Sequence, residues 1–330
     1  MTNLKNRKLV VGVGSALIDI LAHENDEFLK KTEAIKGGMI YVPPERIEQI
    51  LSQLSQKPAI VPGGSACNTI VGIAKLGGKA RFVGKSGADD MADFFKESLE
   101  ETHAEPVIFT SPSPTGRVLS VITPDAQRSM LTYLGAASEM SADEISENLF
   151  ENAVIVHIEG YLLFNRELIL AIANAAKNAR AKISLDLASF NVVEASKDFL
   201  EEFVRKYADI LIANEDEARV FTGFSDENKA IAALSEKAEI AVLKIGKRGS
   251  LISSSGQVIK VEPMGDGKAA DTTGAGDLWA SGFLFGLAQG YSLEMCGKLG
   301  SACGYEVCQV IGASIPEDGW QRIRQFLAAS

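Results

Sequence analysis

Near the carboxyl end, the segment Asp271 to Leu287 reads DTTGAGDLWASGFLFGL, with Gly274 and Gly276 set between two aspartates and an uncharged apolar run behind them. A glycine-rich turn that opens a helix leaves the N–H groups of Ala275, Gly276 and Asp277 at the positive end of the helix dipole, an arrangement that suits an anion. With a phosphate there, the Asp277 carboxylate could take a proton from a hydroxyl aligned to attack it. Taken alone, Asp277 is equally explained as a helix cap.

A second glycine cluster, VPGGSACNTIVGIAKLGG over residues 61 to 78, places Gly63 and Gly64 before a helix that carries Asn68 on its first turn. Two glycines allow close backbone approach, and an asparagine amide offers both a donor and an acceptor to a polyhydroxylated ligand. An ordinary turn with its N-cap is the plainer reading. A third candidate, Asp19, is a carboxylate among apolar neighbours in ALIDILA. It needs partners, which could be ligand hydroxyls, a buried salt bridge, or water at an exposed strand face.

The elements that must hold these residues read as α/β. KLVVGVG, KARFVGK, AVIVHIE, AKISLDLA, ADILIAN and IAVLKIG are continuous apolar runs, the pattern of parallel strands covered on both faces. Helical segments are predicted at Ala66 to Leu76, Asp89 to Glu101, Arg166 to Arg180, Lys197 to Lys206 and Asp226 to Ala238. A doubly wound, mostly parallel sheet flanked by helices follows, with sites at the carboxyl ends of its strands. Residues 15 to 45 and 107 to 136 break the rhythm: IDILAHE, MIYV, GRVLSVIT and RSMLTYLG are strand-like and lack the helices a parallel sheet requires. PDAQ between the last two is a hairpin signal. A small β-sheet lid built from two insertions on a single domain spanning 1 to 330 is expected, with edge strands of the main sheet as the alternative.

Composition excludes several classes. The 330 residues are 46% hydrophobic and 23% charged with net charge −10, and neither a basic run nor an apolar stretch of membrane-spanning length occurs, so nucleic acid and membranes are not expected partners. The basic and then apolar N-terminus reads as a first buried strand rather than a signal peptide, because Gly12, Gly14 and Asp19 interrupt it. The four cysteines form no CxxC pair and the three histidines are scattered, so reduced thiols, a cytoplasmic setting and no zinc site are expected. GVGSALID lacks the third glycine of a dinucleotide fingerprint, having Leu17 there. Gly84-Lys85-Ser86 lacks the upstream glycine of a P-loop, having Lys79 instead.

The segments GGSACNTIVGIAKLGGKARFVGKSGADDMADFF and DTTGAGDLWASGFLFG resemble, in order and over nearly the whole chain, the two signatures of the ribokinase-like, PfkB-type carbohydrate and nucleoside kinases. GRVLSVITPDAQRSMLTYLGAA and VGVGSALIDILA are most similar to adenosine kinase-like members. The resemblance implies a ribokinase-like fold and ATP-dependent phosphorylation of the 5′-hydroxyl of a nucleoside, adenosine first. Asp277 would be the general base, and Gly274, Ala275 and Gly276 the anion hole for the γ-phosphoryl group. Asp19, Gly64 and Asn68 would bind the sugar hydroxyls, with Gly63 shaping the turn.

Asn214 and Glu217, in ANEDEA, match the family's NxxE motif, which organises Mg²⁺ and phosphate through water. KIGKRG, with Gly246 and Gly249, stands where many members carry a TLGxxG nucleotide loop, and Lys244 replaces the usual threonine. Ser301 and Cys303 fall where the adenine of ATP is framed. Asp271, Thr273, Gly312 and Ser314 resemble a monovalent-cation loop, which brings in K⁺. Leu17, Ile40, Tyr133 and Leu162 stand where adenosine kinase-like members contact the base, though each is also explained as packing. Arg117 is either a cation near the transferred group or a solvated lid arginine. A sugar kinase of the same family and a non-catalytic nucleoside sensor are the alternatives, as a monomer or a homodimer.

Overall fold

The computed structural model describes residues 7–125, 127–265 and 267–329. Its strands, in chain order, are β1 Leu9–Val13, β2 Leu17–His23, β3 Met39–Tyr41, β4 Ala59–Gly63, β5 Lys79–Ser86, β6 Glu105–Thr110 and β7 Gly116–Ile122. They continue with β8 Arg128–Tyr133, β9 Ala153–Glu159, β10 Lys182–Asp186, β11 Ile210–Asn214, β12 Ile240–Lys244, β13 Ser250–Ser254 and β14 Gln257–Val261. The helices are α1 Asp26–Lys31, α2 Pro44–Leu51, α3 Ser65–Lys75, α4 Asp90–Glu101, α5 Arg166–Asn178 and α6 Phe190–Tyr207. After them come α7 Glu215–Thr222, α8 Glu227–Ser235, α9 Ala275–Gln289, α10 Leu293–Val307 and α11 Glu317–Ala329.

Nine strands form one sheet in the order β14-β13-β12-β11-β10-β9-β1-β5-β6. It is parallel from β12 to β6, and β13 and β14 add an antiparallel edge. All six runs read from the sequence as continuous apolar strands lie in the parallel part. Alternation explains why they needed to be apolar throughout. Ile210 and Ile212 of β11 enter one core cluster while Leu211 and Ala213 enter the other, so each face of the strand meets helices.

The irregular segments form a separate five-stranded sheet, β3-β8-β7-β2-β4, so they are not edge strands of the main one. β7 and β8 pair antiparallel from Arg117↔Tyr133 to Ile122↔Arg128. Ala126 of the PDAQ turn lies outside the described residues, as do residues 1–6 of the basic N-terminus. The boundaries differ from those read in the sequence. Residues 107–110 belong to β6 of the large sheet, and the small sheet also takes β4, whose Pro62 and Gly63 masked a strand pattern. β1 runs on into β2 rather than into a helix, and Gly84 to Ser86 lie within β5, so neither rejected nucleotide motif has its required turn and helix.

Helix α9 is buried on every side from Leu278 to Phe285, which is why it carries no charge after Asp277. Small residues let its neighbours close in. A Cβ on Gly282 would lie 2.4 Å from the carbonyl oxygen of Leu299 in α10, and a Cβ on Gly72 of α3 would lie 2.4 Å from Ser281 Oγ.

Candidate active site

Gly274 starts α9 in the left-handed region, at φ 70°, and a Cβ there would strike Ala313. The Ala275 N–H turns back to the carbonyl of Thr272 at 3.2 Å, which leaves Gly276 and Asp277 as the first-turn donors best placed for an anion. The Asp277 side chain is not a cap of its own helix. Its Oδ1 accepts from Ser65 Oγ at 2.7 Å and its Oδ2 from Asn68 Nδ2 at 3.0 Å, while Thr69 Oγ1 donates to its carbonyl oxygen at 3.1 Å. Burial raises its pKa above the usual carboxylate range, although the bonds from Asn68 and Ser65 pull the other way.

Asp19, on β2, faces the same space. Burial lifts its pKa to about 6 against the opposing charge of Arg128. Gly63, opposite Leu17 on the neighbouring β4, has no room for a side chain because a Cβ would lie 2.5 Å from Asp19 Cγ. Gly64 adopts φ 101° and packs against the carbonyl of Ser15. Beneath them is a group the sequence reading missed. Buried Glu159, at the end of β9, accepts from the N–H and hydroxyl of Ser15 and from the N–H of Ala66, pinning α3 to the start of β2.

A second missed residue, Asp186 at the end of β10, pairs with Lys244 across the end of β11, Nζ to Oδ2 at 2.9 Å. Burial opposes charge on Lys244, but Asp186 and Glu217 outweigh it and raise its pKa. Asn214 and Glu217 form a reciprocal capping box at the start of α7: the Asn214 N–H and Nδ2 donate to Glu217, and the Glu217 N–H donates to Asn214 Oδ1. Burial first, and then Asp186, raise the Glu217 pKa to about 7. No group of three His, Cys, Asp or Glu side chains that could hold a metal ion exists among the described residues; Mg²⁺ keeps several waters and needs few protein ligands, so Asn214 and Glu217 could hold it through water.

Two cavities meet at this place. One, of about 350 Å³, lies between the small sheet and the strand ends and holds Asp19, Gly64, Asn68 and Asp277. The other, of about 620 Å³, runs past Gly246, Gly249, Ser301 and Trp279. Gly276, Lys244 and Asn214 line both.

Several residues expected to line these cavities do not. Ile40, Tyr133 and Leu162 pack into the core, while their neighbours Met39, Tyr41, Thr132, Leu134 and Tyr161 face the smaller cavity. Leu17 does line it. On a strand a one-residue offset turns the side chain to the other face, and the apolar type alone did not reveal which neighbour faced in. Arg117 is buried in an ion pair with Glu48, and the cations in the wall of the smaller cavity are Arg128 and Lys244. Cys303 is fully buried toward Ser281, whereas Ser301, Gly304, Tyr305 and Cys308 make the helix face on the larger cavity. Asp271 spends its carboxylate on the N–H and hydroxyl of Thr273 and the N–H of Gly312. These bonds order the loop around Asp271, in which Ser314 is exposed. All four cysteines are unpaired, and no described helix is long and apolar enough to cross a membrane.

A carboxylate beside a glycine-led helix start, at the junction of two cavities, suits a phosphotransferase acting on an alcohol group, the class that comparison with known proteins shows. The chain belongs to the pfkB family of carbohydrate kinases, whose model matches residues 38–319. It is similar to a probable sugar kinase from Rhizobium etli CFN 42, with TM-score 0.88 and 32% identity, covering 97% of this chain and 98% of that one. An adenosine kinase from Sinorhizobium meliloti gives TM-score 0.88 and 30% identity, covering 97% and 99%. An adenosine kinase of Saccharomyces cerevisiae (strain ATCC 204508 / S288c) is 27% identical over 332 residues, 94% of this chain and 97% of the relative. The protein is thus a carbohydrate or nucleoside kinase, and its family implies ATP as co-substrate and usually Mg²⁺.

Proposed function

We propose that this kinase transfers the γ-phosphoryl group of ATP to the 5′-hydroxyl of a nucleoside, adenosine first. The observation that carries the reading is the meeting of the two cavities at Gly276, with Asp277 on the acceptor side. The acceptor hydroxyl gives its proton to Asp277 as its oxygen bonds to the γ-phosphorus. The bond from that phosphorus to the β–γ bridging oxygen breaks, and ADP leaves with the electron pair. The Gly276 and Asp277 N–H groups hold the anion through the transfer.

Adenosine is favoured by the mixed lining of the smaller cavity. Asp19, Asn68 and Asp277 offer polar groups to a ribose, and Leu17, Met39 and Met130 offer apolar surface to a base. The small sheet acts as the lid, with the whole chain as one kinase domain. Asn214 and Glu217 would hold Mg²⁺ through water, and the ion would neutralise charge on the phosphates. No step is assigned to K⁺. The setting that fits is cytoplasmic purine salvage by a monomer or homodimer.

A sugar acceptor is the second reading, supported by similarity to the probable sugar kinase. The test is a coupled ADP-release assay across nucleosides and sugars with Mg²⁺, with and without K⁺. Turnover on adenosine with a 5′-monophosphate product is expected. Strong turnover on a hexose with none on adenosine would replace the substrate and leave the kinase. Saturable adenosine binding without ADP release would make the protein a sensor.

A further inference from the structure

We propose that Lys244, anchored by Asp186, contacts the γ-phosphoryl group as it passes between the two cavities. The inference rests on the kinase reading and adds to it a cation that the glycine-rich turn itself does not supply.

Of the three residues that line both cavities, Gly276, Asn214 and Lys244, only Lys244 carries a charge. Its Nζ lies 3.1 Å from where a Cβ on Gly276 would stand, so the ammonium abuts the backbone whose N–H groups make the anion site. A methyl group at Gly276 would press on the ammonium and shift it by a few tenths of an ångström. One oxygen of Asp186 fixes the ammonium at 2.9 Å, and the other, Oδ1, is occupied by the N–H of Ala188. An ammonium has three donors, so the bond to Asp186 leaves capacity for phosphoryl oxygens.

Charge makes the same demand. Asp19, Asp186, Glu217 and Asp277 all line the smaller cavity, and an incoming triphosphate adds more negative charge to that wall. A fixed cation at the crossing point offsets it where the transferred group's equatorial oxygens gather. In the step itself Lys244 keeps its protons: the acceptor proton goes to Asp277, the new bond is acceptor oxygen to γ-phosphorus, and ADP departs with the electron pair of the broken bond. Asp186 touches no substrate and is a positioning residue.

The test separates contact with the γ-phosphate from mere support of the fold. Binding of ADP and of the β,γ-imido analogue of ATP is measured calorimetrically, without acceptor, for the wild type and Lys244→Gln. Loss of one charge-assisted hydrogen bond should weaken the analogue about tenfold or more and leave ADP nearly unchanged. The kcat on the best acceptor should fall by about 10²–10³. Asp186→Asn/Lys244→Gln removes both charges of the pair together, leaves neither partner alone, and carries the same comparison if the single variant fails to fold. Equal weakening of the two nucleotides, or weakening of neither, overturns the inference. Wild-type turnover with such a result leaves the kinase reading intact. A Lys244-dependent preference for the analogue in a wild type that phosphorylates nothing keeps the inference and removes that reading.

Discussion

Asn68 Nδ2 donates to Asp277 Oδ2 at 3.0 Å, joining the first turns of two glycine-led helices, α3 and α9, at one carboxylate. The two sequence signatures, more than 200 residues apart, therefore form one hydrogen-bonded unit. Asn68, expected to serve substrate hydroxyls, also sets the orientation and basicity of the base.

Replacing that base gives the first prediction. Asp277→Asn keeps the shape and can still accept from Ser65, while the Asn68 amide turns over so that its oxygen accepts from the new NH₂, so melting temperature should change little. The kcat should fall by about 10²–10⁴, the usual worth of general base catalysis. Phosphorylation at near the wild-type rate would remove Asp277 from that role.

The bond to Asn68 also has a pH signature. A general base works deprotonated, so activity is lost as pH falls through its pKa, which burial places above the ordinary aspartate value. Asn68→Ala removes a donor that lowers this pKa, so the acid limb of the kcat profile should move to higher pH. A limb that stays put while KM rises would confine Asn68 to substrate binding.

Asp19 should make stability depend on pH in the less familiar direction. Its pKa rises from the ordinary 3.8 to about 6 on folding, so the folded chain binds the extra proton between those values. Its carboxyl therefore costs nothing below pH 3.8, and wild-type stability falls as pH rises through the window to about 6. Asp19→Asn, neutral throughout, should be more stable than the wild type by about 1–2 kcal/mol at pH 8, allowing for partial solvent screening. The gap should close in acid. Denaturant unfolding at both ends of the range decides it, and an equal difference at each would contradict the assignment.

Packing along α9 supplies the fourth prediction. Alanine in an open helix would gain up to about 1 kcal/mol over glycine. At Gly282 the added Cβ meets the Leu299 carbonyl at 2.4 Å, and backbone cannot swing aside as a side chain can. Gly282→Ala should destabilise by about 1–3 kcal/mol, read from thermal unfolding, and lower kcat as the helix start shifts. A raised melting temperature would show that α10 yields freely.

Much of this was legible in the chain. Six apolar runs gave six of the seven parallel strands because residues buried on both faces must be apolar in succession, and β6, at the sheet's edge, lacked that run. The two glycine clusters gave the helix starts, because only there does the backbone need such close approach. What stayed hidden was facing. Ile40 and Tyr133 are flanked by the residues that line the cavity, and Cys303 sits one position from Gly304, because a residue's type does not state the side to which it points. Glu159 and Asp186 could have been found: each is an acid closing an apolar run, at the carboxyl end of a strand where sites gather.

Among the described residues, the strands of the small sheet reach only one of the two cavities. Leu17, Met39, Tyr41, Val118, Arg128 and Met130 border the smaller cavity, proposed for the acceptor, and the described lining of the larger one comes from the main body. Evolution could thus retool the acceptor by drifting a few positions on one removable face, while the triphosphate machinery is inherited unaltered. Relatives named for a sugar and for adenosine, at nearly equal likeness to this chain, are what such modular heredity would leave behind.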